Sequence, residues 1–141
     1  MSDALPLVGI MTSYTRIKDT MALRAGLLMA GCAAELARAH RFPYVVYLPD
    51  RVRVLPSEAE LAATFAQIAQ ALTAAGARKL EARVTAIGLP RGGRCRVWVD
   101  WVMTHADKTH RTVAQTVEYV CDTSEGLRGE MTECLSLARA A

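Results

Sequence analysis

The sequence is short of most residues that announce a specific chemistry. Its four cysteines, Cys32, Cys95, Cys121 and Cys134, stand far apart with no CxxC pair, which excludes a zinc-finger spacing and a redox dithiol. They read as isolated thiols in a reducing compartment. Aromatic residues are only 6% of the chain, too few for a base-stacking surface, and the formal net charge of +3 is spread from Arg16 to Arg96 rather than clustered. Nucleic acid is therefore not an expected partner. No run approaches the roughly 20 apolar residues of a membrane span. The start of the chain carries Asp3 in place of a cationic region, and the apolar stretch 5–11 is interrupted by Pro6 and Gly9, which argues against a leader peptide. The expectation is a cytoplasmic protein without membrane contact. Arg91-Gly-Gly-Arg94 is a hairpin turn and not a phosphate-binding loop, so no nucleotide or other cofactor is expected. His40 reads as a helix end, and His105 and His110 flank a turn; with no third ligand beside them, no metal site is expected.

What is present is apolar pattern. With 52% apolar residues in 141, residues 1–141 form a single domain with an ample core. Over residues 12–40, Ile17, Met21, Ala25, Leu28, Cys32, Leu36 and Ala39 recur at steps of three or four, one stripe of an amphipathic helix. Asp19, Arg24, Glu35 and Arg38 are placed off that stripe, in solvent. Gly26 and Gly31 predict close packing or a bend, and Pro43 ends the helix. Residues 44–48 and 51–55 are short strands joined by a Pro49-Asp50 turn. Ser57 with Glu60 is a capping box opening a second helix, whose stripe is Leu61, Phe65, Ile68, Leu72 and Ala75 and whose stop is Gly76.

After Gly76 the period changes from 3.6 to 2. Leu80, Ala82, Val84 and Ala86 alternate with polar positions, and Pro90-Arg-Gly-Gly93 leads into the long alternating stretch Arg94-Cys-Arg-Val-Trp-Val-Asp-Trp-Val-Met-Thr104. Turns at 106–109 and 123–126 add strands over 112–121 and 127–137. Three successive turns joining four strands make an antiparallel meander.

This order of elements resembles the nuclear transport factor 2-like superfamily, in its small bacterial SnoaL-like form. The local marks are Phe42-Pro-Tyr-Val-Val-Tyr-Leu-Pro49, Val97-Trp-Val-Asp-Trp101 and Gly126-Leu-Arg-Gly-Glu-Met131. The resemblance covers nearly the whole chain. It implies an α+β, cone-shaped fold, with a curved antiparallel sheet wrapped around helices, a pocket on the concave side and homodimers formed through the other face. Members include isomerases, dehydratases, epoxide hydrolases and cyclases acting on small apolar molecules, and also proteins that only bind. The catalytic sets of ketosteroid isomerase, limonene epoxide hydrolase and SnoaL-like cyclases have no counterpart on the concave face as drawn here.

With tight turns, Val84 lies opposite Val99, Ala82 opposite Trp101, Trp101 beside Ala114 and Val99 beside Thr116; continuing the register puts Thr116 against Glu133 and Glu118 against Met131. The concave face then holds Trp101, Met103, Thr116 and Met131 as ligand-binding residues, with Tyr14 and Tyr47, and alongside them Tyr44, as candidates for the pocket mouth. Glu118 and Glu133 are its carboxylates. Two carboxylates in an apolar cavity have pKa values driven apart or upward, which equips one as a general base or acid; the plainer reading leaves them at the rim, solvated or paired with Arg51 or Arg53. The opposite face collects Arg83, Trp98, Asp100, Gln115, Tyr119 and Glu130, a dimer interface in which Arg83 pairs with Asp100.

Three functions follow as expectations. The first is a protein that binds a small apolar molecule, with no assigned activity. The second is a cofactor-independent isomerase, dehydratase or cyclase using Glu118 or Glu133. The third is a dimerising protein-interaction module.

Overall fold

The computed structural model describes the backbone of residues 5–138 and the side chains of residues 14–138. Asp3, on which the expected lack of a leader partly rests, lies outside the described residues. The chain runs α1 (Leu5–Met29), α2 (Ala33–Arg38), β1 (His40–Tyr47), β2 (Val52–Leu55), α3 (Glu58–Ala74), β3 (Ala77–Ile87), β4 (Arg94–His105), β5 (His110–Thr123) and β6 (Gly126–Leu137). The strands form one open, curled sheet in the order β2-β1-β6-β5-β4-β3. All neighbours are antiparallel except β1 and β6, which run parallel. Among the described residues no helix is long and apolar enough to cross a membrane.

The first helical stretch is two helices. Gly31 takes φ +77, and Cys32 N–H donates back to Leu27 O at 2.9 Å, a left-handed cap that ends α1 before α2 begins. The bend belongs to Gly31, since Gly26 has no positive φ, and neither glycine marks close packing, a Cβ on either meeting nothing within 4 Å. The stripe Ile17, Met21, Ala25, Leu28 and Leu36 is buried as expected. Arg24 corrects the expectation: it is 5% exposed and not in solvent. Counted as 17, 21, 24 and 28, it falls on the same helical face as its apolar neighbours.

α3 is capped as its sequence requires, with Ser57 Oγ accepting Glu60 N–H at 3.2 Å. The β3–β4 turn places Gly92 and Gly93 at φ +57 and +74, while Arg91 and Arg94 exchange backbone hydrogen bonds of 2.8 and 3.0 Å. Two adjacent left-handed residues are what a two-residue hairpin loop requires. The bidentate pair of Arg16 with Asp122, at 2.9 and 3.0 Å, ties α1 to the end of β5.

Through β3, β4 and β5 the register is the expected one, with Val84 opposite Val99, Ala82 opposite Trp101, Trp101 opposite Ala114 and Val99 opposite Thr116. The last pairing departs from it. Thr123–Gly126 and Asp122–Leu127 pair as a tight turn dictates, but a bulge between Tyr119 and Val120 leaves Glu130 as an extra residue on β6. Beyond it, Glu118 faces Thr132 and Thr116 faces Cys134, in place of Met131 and Glu133. A one-residue slip exchanges the faces of a strand, so Thr132 and Cys134 turn inward while Met131 and Glu133 turn outward.

Candidate functional site

Inside the curl a connected group of polar side chains, drawn from four strands and one helix, is set among apolar ones. At its centre is Glu118 of β5, 6% exposed. Thr132 Oγ1 donates to Glu118 Oε1 at 2.8 Å, and Thr132 Oγ1 in turn forms a hydrogen bond with the Tyr44 hydroxyl. With the threonine proton directed at the carboxylate, the tyrosine is the donor. On the other side Trp101 Nε1–H donates to Thr116 Oγ1 at 2.8 Å, and the Thr116 hydroxyl also hydrogen-bonds Glu118. Two donor chains, Tyr44–Thr132 and Trp101–Thr116, thus converge on one carboxyl group.

Burial pushes the Glu118 carboxyl above its usual range, while the hydroxyls of Thr116 and Thr132 and the charge of Arg24 pull the other way. Burial likewise raises Tyr44, with the Glu118 charge adding to it, so its hydroxyl keeps its proton. A buried carboxyl with a raised pKa and hydroxyls on it is chemically able to accept or return a proton.

Arg24 and His40 flank this centre. His40 is 4% exposed, and its Nδ1 lies 2.9 Å from Leu36 O. A carbonyl only accepts, so the proton sits on Nδ1 and Nε2 carries the lone pair. Burial, with the Arg24 charge beside it, holds the imidazole down to about 3, and it is neutral at ordinary pH. The ring stands edge-on to Tyr44 at 4.7 Å between centroids and crosses Gly129, where a Cβ would lie 2.7 Å from His40 Cδ2 and 3.5 Å from Arg24 Nη1. Only glycine leaves room for that crossing.

The expected residues divide. Trp101, Thr116 and Glu118 meet in this centre. Met103 is on the same side of β4 but is 1% exposed and packed with Leu28, Leu36 and Leu80, so it is core. Met131 and Glu133 are corrected to the outer face by the bulge at Glu130. Tyr47 is also corrected: it pairs with Glu133, outside the curl, and is 42% exposed. Tyr14 is 46% exposed, with Lys18 Nζ 5.4 Å from its ring centroid, and lines no interior surface. Tyr44 alone of the three tyrosines enters the site.

The outer face holds Arg83, Trp98, Asp100, Gln115, Tyr119 and Glu130. Gln115 Nε2 donates to Asp100 Oδ1 at 3.2 Å, and Glu130 lies 2.8 Å from Arg94 Nε and 3.8 Å from Arg41 Nη1. Arg83 is opposite Asp100 in register, but its Nε binds Glu81 Oε1 at 3.0 Å instead. Glu81 is two residues along on the same face, and Asp100 is taken up by Gln115 from the other side. A cleft of about 370 Å³ opens elsewhere, between α1 and β3, with Ala25, Leu80 and Ala82 among its walls.

Arg24, His40, Thr132 and Gly129 are not among the expected site residues. Arg24 carries a signal in its 3/4 spacing from Met21 and Leu28. Thr132 carries none, because its inward direction depends on the bulge.

No protein-family model matches the sequence, and no curated protein matches it. Solved structures do. An NTF2-like protein with a cystatin-like fold from Novosphingobium aromaticivorans aligns over 99% of this chain and 90% of its own, with a TM-score of 0.70 at 15% identity. The protein Aln2 from a Streptomyces species aligns over 87% and 89%, with a TM-score of 0.68 at 12% identity. A protein from Catenulispora acidiphila, solved in complex with S-DNPA, aligns over 87% and 93%, with a TM-score of 0.62 at 13% identity. The chain has the nuclear transport factor 2-like fold. At these identities the likeness is one of architecture, and function has to be argued from the site.

His40 sets an acid limb of stability. Its folded pKa of about 3 lies below its ordinary 6.5, so its contribution is full above about pH 6.5 and is lost as pH falls toward 3. The complete loss is on the order of 5 kcal/mol, comparable with the whole stability of a small domain, so unfolding precedes full titration. Glu118 has the opposite slope, since a raised carboxyl loses its contribution as pH rises through its folded value. His40→Asn keeps a donor for Leu36 O and removes the titration. Urea unfolding between pH 4 and 6.5 should therefore show a flatter pH dependence in the variant than in the parent; equal slopes would mean that His40 is solvated.

Proposed function

We propose that the protein binds a small, largely apolar molecule in the concave side of its sheet, with Glu118 and the hydroxyls on it as the polar end of the site. The observation that carries this reading is the convergence of Tyr44–Thr132 and Trp101–Thr116 on one buried carboxyl group, with a buried arginine nearby. Packing alone does not call for this, because apolar residues of similar volume stabilise an interior as well or better. Few polar groups converging in an apolar concavity are the usual anatomy of a small-molecule site. The structure of a similarly folded protein in complex with S-DNPA is in keeping with such a use.

Trp101 is the natural reporter, being hydrogen-bonded into the centre, while Trp98 lies on the outer face. In a Trp98→Phe variant, Trp101 emission should change saturably with compounds extracted from natively purified protein. Glu118→Gln should weaken that binding by on the order of tenfold. An extract that contains no small molecule, together with emission that a broad panel leaves unchanged, would remove the reading.

A second reading, proton transfer, is favoured by the raised carboxyl itself. In it Glu118 takes a proton from carbon next to a carbonyl and returns it to the same or a neighbouring carbon. A bound carbonyl compound in D2O should then gain deuterium at that carbon, and Glu118→Gln should abolish the gain. Exchange at the same rate in the variant would take Glu118 out of the chemistry.

The outer face supports a homodimer. Besides Trp98 and Tyr119 it carries the exposed Tyr47, Val52 and Val54, paired across β1 and β2 and all pointing outward. Sedimentation should report twice the chain mass, falling to one with Val54→Lys; a monomeric parent would end that proposal.

A further inference from the structure

We propose that Arg24 anchors a carboxylate-binding subsite inside the curl, so that the ligand is a monocarboxylic acid with an apolar body. This rests on the small-molecule reading above and narrows it to one chemical class. Arg24 is 5% exposed, and neither Nε nor Nη2 has a hydrogen-bond partner among the described residues. These two nitrogens form one edge of the guanidinium, with parallel N–H bonds that match the two oxygens of a carboxylate. Burying a charged group with a whole donor edge unpaired is costly, and the cost is relieved only when a partner fills that edge.

Among the described residues no carboxylate is positioned to do so. Glu118 is occupied by Thr116 and Thr132 and makes no ion pair with Arg24. Glu130 is held on the outer face by Arg94 and Arg41, and Asp122 is held by Arg16. His40 beside Arg24 is neutral and offers only a lone pair at Nε2, so it neither competes for an anion nor adds a second positive charge. The cation of this centre is one guanidinium with one open edge, which matches a single carboxylate. A phosphate dianion would bring, next to Glu118, a second negative charge that the single guanidinium of Arg24 does not match. Gly129 supplies space at the other edge, since a Cβ there would stand 3.5 Å from Nη1.

The test uses the full chain, unfolded in guanidinium and refolded to strip bound molecules. It is titrated with aliphatic and aromatic monocarboxylates, octanoate and phenylacetate among them, and with their primary amides, which keep shape but lose charge. The acids should bind on the order of tenfold or more tightly than the matched amides. Arg24→Met should reduce the acids to the affinity of the amides, and Arg24→Lys, a point charge without the fork, should fall between. Arg24→Met should also raise the melting temperature of the stripped protein, because it removes an uncompensated buried charge. If acids and amides bind alike, or Arg24→Met lowers that temperature, the inference fails while small-molecule binding stands. If neither series binds and an uncharged compound is recovered from native protein, the inference fails alone. If nothing binds and nothing is recovered, both readings fall.

Discussion

The ring of His40 lying across the bare Cα of Gly129 is the contact on which the interior depends. At that point β1 begins beside β6, with Gly129 N–H donating to Ala39 O at 2.9 Å. A side chain on Gly129 would stand 2.7 Å from the ring, so the two strands meet this closely only because that position has none. One residue later β6 bulges, and Glu130 turns out to Arg94 and Arg41. The bulge carries Thr132 inward to meet both Glu118 and Tyr44. Strand entry, bulge and donor chain thus follow one another along β6 from Gly129 to Thr132.

The electrostatics of the centre are those of a small closed system. Among the described residues it holds one guanidinium, one carboxyl and one imidazole, and the imidazole is removed from the balance by the proton that Leu36 O fixes on Nδ1. Burial favours a protonated Glu118, whereas two hydroxyl donors and the field of Arg24 favour an ionised one. These opposed influences leave the proton sensitive to whatever else enters. An anion on Arg24 cancels that field and shifts Glu118 toward its neutral form by the same Coulombic coupling. Occupancy of one end of the site and protonation at the other are therefore linked, which suits either selective binding or proton transfer.

Most of the fold is legible in the sequence because each element states itself locally. The Ser57 cap, the Gly76 stop, the change of period after it and the glycine pair at 92–93 all specify geometry within a few residues. The register of β3, β4 and β5 follows from tight turns, and with it the inward placement of Trp101, Thr116 and Glu118. Legibility ends where geometry becomes non-local. The bulge at Glu130 has one local sign, Gly129, since a glycine inside a strand marks a bulge or a close backbone approach, but the glycine alone does not say which residue is the extra one. Beyond that point the alternation reads one step out of phase, which puts Glu133 and Met131 inside and Thr132 outside. The error over Arg24 has a different origin. Its charge suggests solvent, although its spacing from Met21 and Leu28 places it on the buried face.

A chain whose local and global preferences agree folds to one structure, and the places where they disagree carry information. Here the disagreements are concentrated. Caps, turns and strand alternation all favour the observed architecture, and the exposed arginines pair on the surface in ordinary ways that contribute little to stability. Among the described residues Arg24 alone violates the pattern, by occupying a core position with a charge and leaving one edge of it unpaired. An apolar residue of the same volume would satisfy the helix, the packing and the hydrogen-bond balance together. Among the described residues nothing pairs with that edge; a carboxylate from outside the chain would, entering where Arg24 and Glu118 face the same interior.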